Sequence, residues 1–259
     1  MKPTSPIRLM AHLVAGFPDY ETGLLIADSL VKGGAHFLEV QFAFTDPSAD
    51  GPAIQTANAL VLSKGFTTAR AFEFVAAIHE RHPDIPVFVM TYASLVYTPQ
   101  VKHFVAEAKA AGVAGLIIPD LPFDHDEGLT EACKANGMVN IPVVVPSMSE
   151  ERLAQIIEMK FPYLYTALRA GITGQKTVID QNTLDFIRRV SEGGAKVLGG
   201  FGIGSGEQSK TLAPHVYSVI AGSAFINIVH ELFDETHLEE SRKKIAQAIE
   251  AKARELSGG

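Results

Sequence analysis

Phe37-Leu38-Glu39-Val40-Gln41-Phe42-Ala43-Phe44-Thr45-Asp46-Pro47-Ser48-Ala49-Asp50-Gly51-Pro52 reads as an apolar strand, Phe37–Phe42, that runs into a loop of turn-forming residues. A strand covered on both faces is a continuous hydrophobic run, as in parallel sheets, and Glu39 breaks this one. Alternation assigns Phe37, Glu39 and Gln41 to one face and Leu38, Val40 and Phe42 to the other. The all-apolar set suits a layer of covering helices, so Glu39 points into whatever the opposite face encloses. An unpaired charge there costs on the order of several kcal/mol. Either a neighbouring donor satisfies Glu39 as a structural group, or the charge serves chemistry. A second carboxylate, Asp50, follows eleven positions later in the loop.

Outward from this strand, apolar β-rich runs alternate with amphipathic stretches along the whole chain. Leu9–Val14, Phe37–Phe42, Pro86–Tyr92, Gly115–Ile118, Asn140–Val145, Tyr163–Thr166, Lys196–Gly199 and Tyr217–Ala221 are the candidate strands. Helical periodicity covers Tyr20–Gly33, Thr68–His82, Val101–Ala111, Ser149–Met159, Asp180–Ser191 and Leu238–Leu256. Asp19 and Ser149 stand before acidic first-turn residues, as N-caps do. Repeated βα units predict a parallel sheet, and eight of them fit a closed (β/α)8 TIM barrel. A doubly wound sheet would carry a glycine fingerprint after its first strand, and Gly16-Phe17-Pro18-Asp19 is not one. Nothing resembles a linker, so residues 1–259 are expected to form a single barrel domain.

Composition narrows the partners. The 259 residues are 47% hydrophobic and 20% charged, with a net charge of −7. That balance argues against nucleic acid or an anionic membrane surface. Met1 to Val14 lacks a signal-peptide pattern, and no run is long enough to span a membrane. A single cysteine, Cys133, leaves no internal disulfide and reads as a packing residue, with a cytoplasmic setting expected.

In a barrel, chemistry collects in the loops after the strands. Besides the loop after Phe42, two stand out: Ala167–Lys176 and Gly199-Gly200-Phe201-Gly202-Ile203-Gly204-Ser205-Gly206. The alternate glycines let backbone approach a ligand closely. Ala221-Gly222-Ser223-Ala224 then offers a helix start after the last strand. Glycine turns on these two adjacent strands, with a helix N-terminus, predict a phosphate site. Asp124-His125-Asp126 suggests a metal only weakly, since it falls at a helix start where Asp serves as a cap, and no metal is expected.

The segment Glu39–Gln55, with Arg169-Ala170-Gly171-Ile172-Thr173-Gly174 and Gly200-Phe201-Gly202-Ile203, resembles the tryptophan synthase alpha subunit family in order and spacing. The resemblance implies a lyase that cleaves indole-3-glycerol phosphate, by a retro-aldol step, into indole and glyceraldehyde 3-phosphate for tryptophan biosynthesis. It implies that Glu39 protonates the indole ring carbon bearing the side chain and that Asp50 accepts the indole N–H. Thr173 and Gly174 would lie in a loop closing over the glycerol phosphate. Backbone N–H groups around Gly174, Gly202, Gly222 and Ser223 would hold the phosphate, Gly200 would also belong to the substrate site, and Tyr165, Phe201, Tyr92, Met90, Ile117 and Ile220 would line the indole pocket. No cofactor is implied in this chain. Pyridoxal phosphate is expected in a beta subunit, the partner in an alpha2beta2 assembly that takes indole through an internal tunnel.

The chain departs from the family at several points. Gln41 and Ala43 stand where Gly and Pro are usual, and Gly206 where Pro is common, which should loosen that turn. His12 replaces an aromatic residue; by parity it points inward with Met10, as a satisfied core histidine or as a pocket residue. Only Met1 to Arg8 precede the first strand, so a reduced N-terminal helix is expected. Rival readings are a stand-alone indole-releasing lyase and a non-catalytic, phosphate-sensing activator of the beta subunit. Phosphate-binding isomerase barrels share the glycine loops but lack the Asp46-Pro47…Asp50-Gly51-Pro52 motif.

Overall fold

The computed structural model describes residues 7–167, 179–200 and 202–259. Its strands are β1 (Leu9–Val14), β2 (Ala35–Gln41), β3 (Val87–Met90), β4 (Val113–Ile117), β5 (Val139–Asn140), β6 (Val143–Val144), β7 (Tyr163–Ala167), β8 (Lys196–Gly200) and β9 (Ser218–Ala221). All pair in parallel, in the order β5-β4-β3-β2-β1-β9-β8-β7-β6. The two ends of that order are one chain segment. β5 pairs with β4 and β6 with β7, and only Ile141-Pro142 separates them. Hydrogen bonds from Ile141 N to Leu116 O and from Tyr165 N to Pro142 O carry the ladder across the gap, at 2.9 Å each. The sheet therefore closes into a (β/α)8 TIM barrel with eight strand positions. The expected unbroken strand Asn140–Val145 is split because Pro142 has no N–H to donate.

The two faces of each strand separate as the alternation predicts. Leu38, Val40 and Phe42 join the large core between sheet and helices, whereas Phe37 joins Met10, Phe88, Met90, Ile117, Leu198 and Ile220 inside the barrel. The barrel floor is aromatic. Phe37 stacks on Phe88 with centroids 5.6 Å apart, Phe88 meets Tyr163 at 5.7 Å and Tyr163 meets Tyr217 at 6.0 Å. One inward step up β1, β2 and β7 the lining turns polar, with His12 above Met10, Glu39 above Phe37 and Tyr165 above Tyr163, while Met90, Ile117 and Ile220 keep β3, β4 and β9 apolar. With its floor plugged, the barrel interior is reached from the C-terminal end, where the polar layer lines a cavity.

Capping fixes the helix starts. Asp19 accepts from Thr22 N, Ser149 from Arg152 N and Asp180 from Thr183 N, so the helices Tyr20–Lys32, Glu150–Glu158 and Gln181–Ser191 begin where their sequences indicate. At Asp124-His125-Asp126 the helix starts later, with Gly128 as N-cap; Asp126 bonds Gly128 N and Thr130 N, and Asp124 pairs with Arg152. Among the described residues, no group of three His, Cys, Asp or Glu is placed to hold a metal ion. Cys133 is buried, and burial pushes its thiol up to about 12. No described helix is long and apolar enough to cross a membrane. The expected reduction of an N-terminal helix concerns Met1 to Arg8, of which residues 1–6 lie outside the described residues.

Candidate active site

Strand register brings the polar layer together. His12 on β1 lies opposite Glu39 on β2, and His12 Nδ1 sits 3.5 Å from Glu39 Oε1. Both are buried, at 4% and 2% exposure. Two residues on, Gln41 Nε2 donates to Asp50 Oδ2 at 2.6 Å, and the Tyr92 hydroxyl donates to the same oxygen at 2.9 Å. Tyr92 oxygen also accepts from Ala49 N at 3.1 Å, and Gln55 Nε2 donates to Asp50 O at 2.9 Å. The loop after β2 is thus folded down so that its carboxylate is 3% exposed and joins the barrel lining.

These groups surround a cavity of about 270 Å³. Glu39, Asp50, Tyr165, Met90, Ile117, Ile220, Gly202, Gly222 and Ser223 all line it. Two other expected site residues do not. Tyr92 lies under the loop, its ring stacked on Phe44 at 5.1 Å and its hydroxyl turned to Asp50. Gly200 is spent on packing, because a Cβ there would lie 2.4 Å from Ile220 Cβ. Thr173, Gly174 and Phe201 fall outside the described residues. Sequence reasoning passed over Ser147 and Pro119, which also line the cavity; each follows a strand end with nothing in its neighbours to mark it. It left His12 open, and His12 is a lining residue.

The electrostatics give the two carboxylates different surroundings. Burial raises the Asp50 pKa, and the Gln41 and Tyr92 hydrogen bonds and the His12 charge only partly offset it, so it stays above the usual aspartate range. For His12, burial pulls the pKa down, but the Glu39 hydrogen bond and the Glu39 and Asp50 charges outweigh it and raise it. Burial and the charges of Glu39 and Asp50 lift the Tyr165 hydroxyl well above its ordinary value. Burial and the adjacent Asp50 charge do the same to Tyr92, which remains a neutral donor.

The opposite rim is a helix start. Gly222 is the N-cap of Ser223–Leu232, and no side chain caps that helix. Phe225 N and Ile226 N donate to Gly222 O, which leaves the Ser223 and Ala224 N–H groups at the positive end of the dipole, an arrangement that suits an anion. A Cβ at Gly222 would sit 3.2 Å from His12 Cβ, so glycine keeps the rim close to β1. The preceding helix, Gly206–Leu212, is different. A Ser205–Gln208 capping box closes its start, and Gly206 N donates to Glu255 Oε1 at 2.8 Å. Gly206 does not loosen this turn; it lets the last helix approach.

Chemically, the cavity offers a buried carboxyl–imidazole pair, a second carboxylate held by neutral donors, an apolar wall and an anion-binding rim. The family profile for the tryptophan synthase alpha chain matches residues 2–257. The chain is 35% identical over 257 residues to the tryptophan synthase alpha chain of Helicobacter hepaticus, covering 97% of this chain and 96% of that one. It is 35% identical over 252 residues to that of Methanosarcina mazei, covering 97% and 88%. Among solved structures it resembles a chain of the tryptophan synthase complex from Pyrococcus furiosus, with a TM-score of 0.85, 30% identity, and 99% and 100% coverage.

Proposed function

The chain belongs to the tryptophan synthase alpha chain family, and from that premise we propose that Glu39 and Asp50 are the two carboxylates that carry its reaction. That reaction is a carbon–carbon lyase step of tryptophan biosynthesis, which cleaves indole-3-glycerol phosphate to indole and glyceraldehyde 3-phosphate. The observation that carries the assignment is that Glu39, Asp50 and the uncapped helix start at Ser223 share one cavity.

Breaking the bond between ring and side chain requires the ring carbon to become tetrahedral and the ring nitrogen positive. Glu39, on a rigid strand, donates a proton to that carbon. Asp50 accepts the indole N–H and stabilises the charge that develops there. Gln41 and Tyr92 hold it in the barrel lining, ready for that role. Met90, Ile117, Ile220 and Tyr165 hold the indole against the apolar wall. Gly202, Gly222 and Ser223 take the phosphate, whose charge favours the helix N-terminus. Thr173, Gly174 and Phe201 complete the enclosure in this reading.

The chemistry calls for no cofactor in this chain. A tryptophan synthase beta subunit carrying pyridoxal phosphate is its partner, in an alpha2beta2 assembly within the cytoplasm, and residues 1–259 act as one barrel domain. The supporting likeness is to a chain from a tryptophan synthase complex. Indole release from indole-3-glycerol phosphate, assayed with and without a beta subunit, tests the whole reading. Release that the beta subunit accelerates is expected; no indole under either condition refutes it.

A further inference from the structure

Cleavage needs two proton movements, one onto the ring carbon and one off the hydroxyl of the adjacent side-chain carbon. Glu39 accounts for the first. For the second, the cavity presents His12, whose Nε2 is buried and has no hydrogen-bond partner among the described residues. Glu39 Oε2 is in the same condition, and the remaining pair, His12 Nδ1 and Glu39 Oε1, face each other at 3.5 Å. A buried polar atom with no partner calls for an explanation, and both of these belong to side chains lining the cavity.

We propose that His12 is the general base that takes the side-chain hydroxyl proton of indole-3-glycerol phosphate while Glu39 protonates the ring carbon. The inference rests on the reading of Glu39 as the acid. The electron pair of the ring C=C takes the Glu39 proton, forming a C–H bond and leaving the ring nitrogen positive. His12 Nε2 then removes the hydroxyl proton, and the O–H electrons become the carbonyl bond of glyceraldehyde 3-phosphate. The carbon–carbon bond breaks, and its electrons restore the ring C=C and neutralise the nitrogen. Glu39 is left as carboxylate and His12 as imidazolium. Transfer of the Nδ1 proton to Glu39 Oε1 regenerates the acid and leaves the Nε2–H tautomer; as product leaves, water takes the Nε2 proton and returns one to Nδ1, which restores the base. No co-reactant is needed.

The charged and titratable groups facing His12 are Glu39 from β2, Asp50 from the following loop and Tyr165 from β7. The neighbouring β9 contributes Ile220 and Ala221, which carry no charge. The charges of Glu39 and Asp50 favour keeping a proton on the pair to higher pH than a lone histidine would. The active form is the state in which His12 and Glu39 share one proton, so its apparent pKa values belong to the pair.

The test compares the full chain with His12→Phe, His12→Asn and Glu39→Gln in kcat, KM and pH dependence of indole release. Asn retains a donor toward Glu39 but supplies no base. Both His12 variants are expected to lose roughly 10²–10⁴-fold in kcat, the usual range for one acid–base group, with KM little changed. The basic limb of kcat should also shift to lower pH, which a packing defect alone would not do. Wild-type kcat and an unmoved limb in the His12 variants, with Glu39→Gln inactive, overturn this inference alone; an active Glu39→Gln overturns the underlying reading. If neither His12 variant folds, ¹⁵N NMR of the wild-type chain decides. Above the basic limb the neutral His12 ring should carry its proton on Nδ1, and an Nε2-protonated ring overturns the proposal.

Discussion

Gln41 holds Asp50. Its Nε2, at the last inward position of β2, donates to Asp50 Oδ2 at 2.6 Å and leaves the loop carboxylate facing the cavity. A buried hydrogen bond to a charged group contributes about 1.5–3 kcal/mol. Burial holds the Asp50 pKa up, and Gln41 is the first of the groups pulling it back. In the proposed role Asp50 works ionised, so activity is expected above its pKa and is lost as pH falls through it. Gln41→Gly removes the restraint, raises that pKa further and should move the acid limb of kcat/KM to higher pH. A pH profile of kcat/KM checks this; an unmoved limb would show that Gln41 does not tune Asp50.

Tyr92 shares that task. Its hydroxyl donates to the same Asp50 oxygen and accepts from Ala49 N, which pins the loop at two points. Tyr92→Phe should destabilise the chain by about 1–3 kcal/mol, the cost of leaving buried polar groups unpaired. Since Gln41 and Tyr92 meet at one atom, the double variant should not be additive, with a coupling of about 0.5–3 kcal/mol. Urea unfolding of the four proteins in the cycle measures it, and strict additivity would mean the two donors act independently.

Glu39→Gln preserves the shape of the side chain and removes its transferable proton. Indole formation should fall below detection, while glycerol 3-phosphate, which needs only the rim at Gly222 and Ser223, should bind as in the wild type. Turnover assays and calorimetric titration together separate these outcomes. Near wild-type turnover would remove Glu39 from the chemistry.

How far the sequence could be read differs between strand and loop. The apolar runs located every barrel strand to within a few residues, because burial on two faces leaves a signal in composition. The inward direction of the Glu39 face followed from alternation along one such run. Contacts between elements left no such trace. That His12 meets Glu39 depends on the β1–β2 register, and that Gln41 meets Asp50 depends on the path of an irregular loop. The position of Tyr92 depends on such a contact as well. It continues an apolar run, yet the strand ends at Met90, and Tyr92 N-caps the short helix Ala93–Tyr97, so its ring turns under the loop. The rim helix at Ser223 was legible because Gly222-Ser223 follows an apolar strand directly, whereas Ser147 had no such marker.

Asp19 ties the first helix to the last. It accepts from Thr22 N at 2.9 Å and pairs with Arg242 Nη2 at 3.0 Å, and Arg242 Nε also donates to Thr22 Oγ1. Burial would raise the Asp19 pKa, but the Thr22 hydrogen bonds and Arg242 outweigh it and lower it. A lowered carboxylate pKa contributes stability above its unfolded value, about 3.9, and loses that stability as pH falls through the folded value. Asp19→Asn keeps a competent cap but not the charge. It should therefore melt below the wild type at neutral pH, with the gap closing as pH drops beneath the usual aspartate range. Thermal melts from pH 7 downward check the sign; a gap that widens toward acid would contradict it.

Gly206 sets two general rules against each other. It is the first residue of the helix Gly206–Leu212, a position where proline is ordinarily favoured because its missing N–H has no helical partner. Here that N–H does have a partner, since it donates to Glu255 Oε1 at 2.8 Å, and a Cβ would lie 2.9 Å from Glu255 O. Proline would leave the Glu255 carboxylate short of a donor and press its ring against a backbone carbonyl that cannot swing away. A bond to a charged group is worth about 1.5–3 kcal/mol, more than the 0.4–1 kcal/mol or so that a compatible proline gains through the unfolded state. Loss should win. Gly206→Pro is expected to lower Tm by roughly 1–10 °C, from a net loss of about 0.5–2.6 kcal/mol at about 2–4 °C per kcal/mol for a domain of this size. Gly206→Ala keeps the N–H and meets only the crowding, so it should fall between the two. A Gly206→Pro chain melting at or above the wild type would mean that the last helix yields to the ring and that the Glu255 contact contributes little.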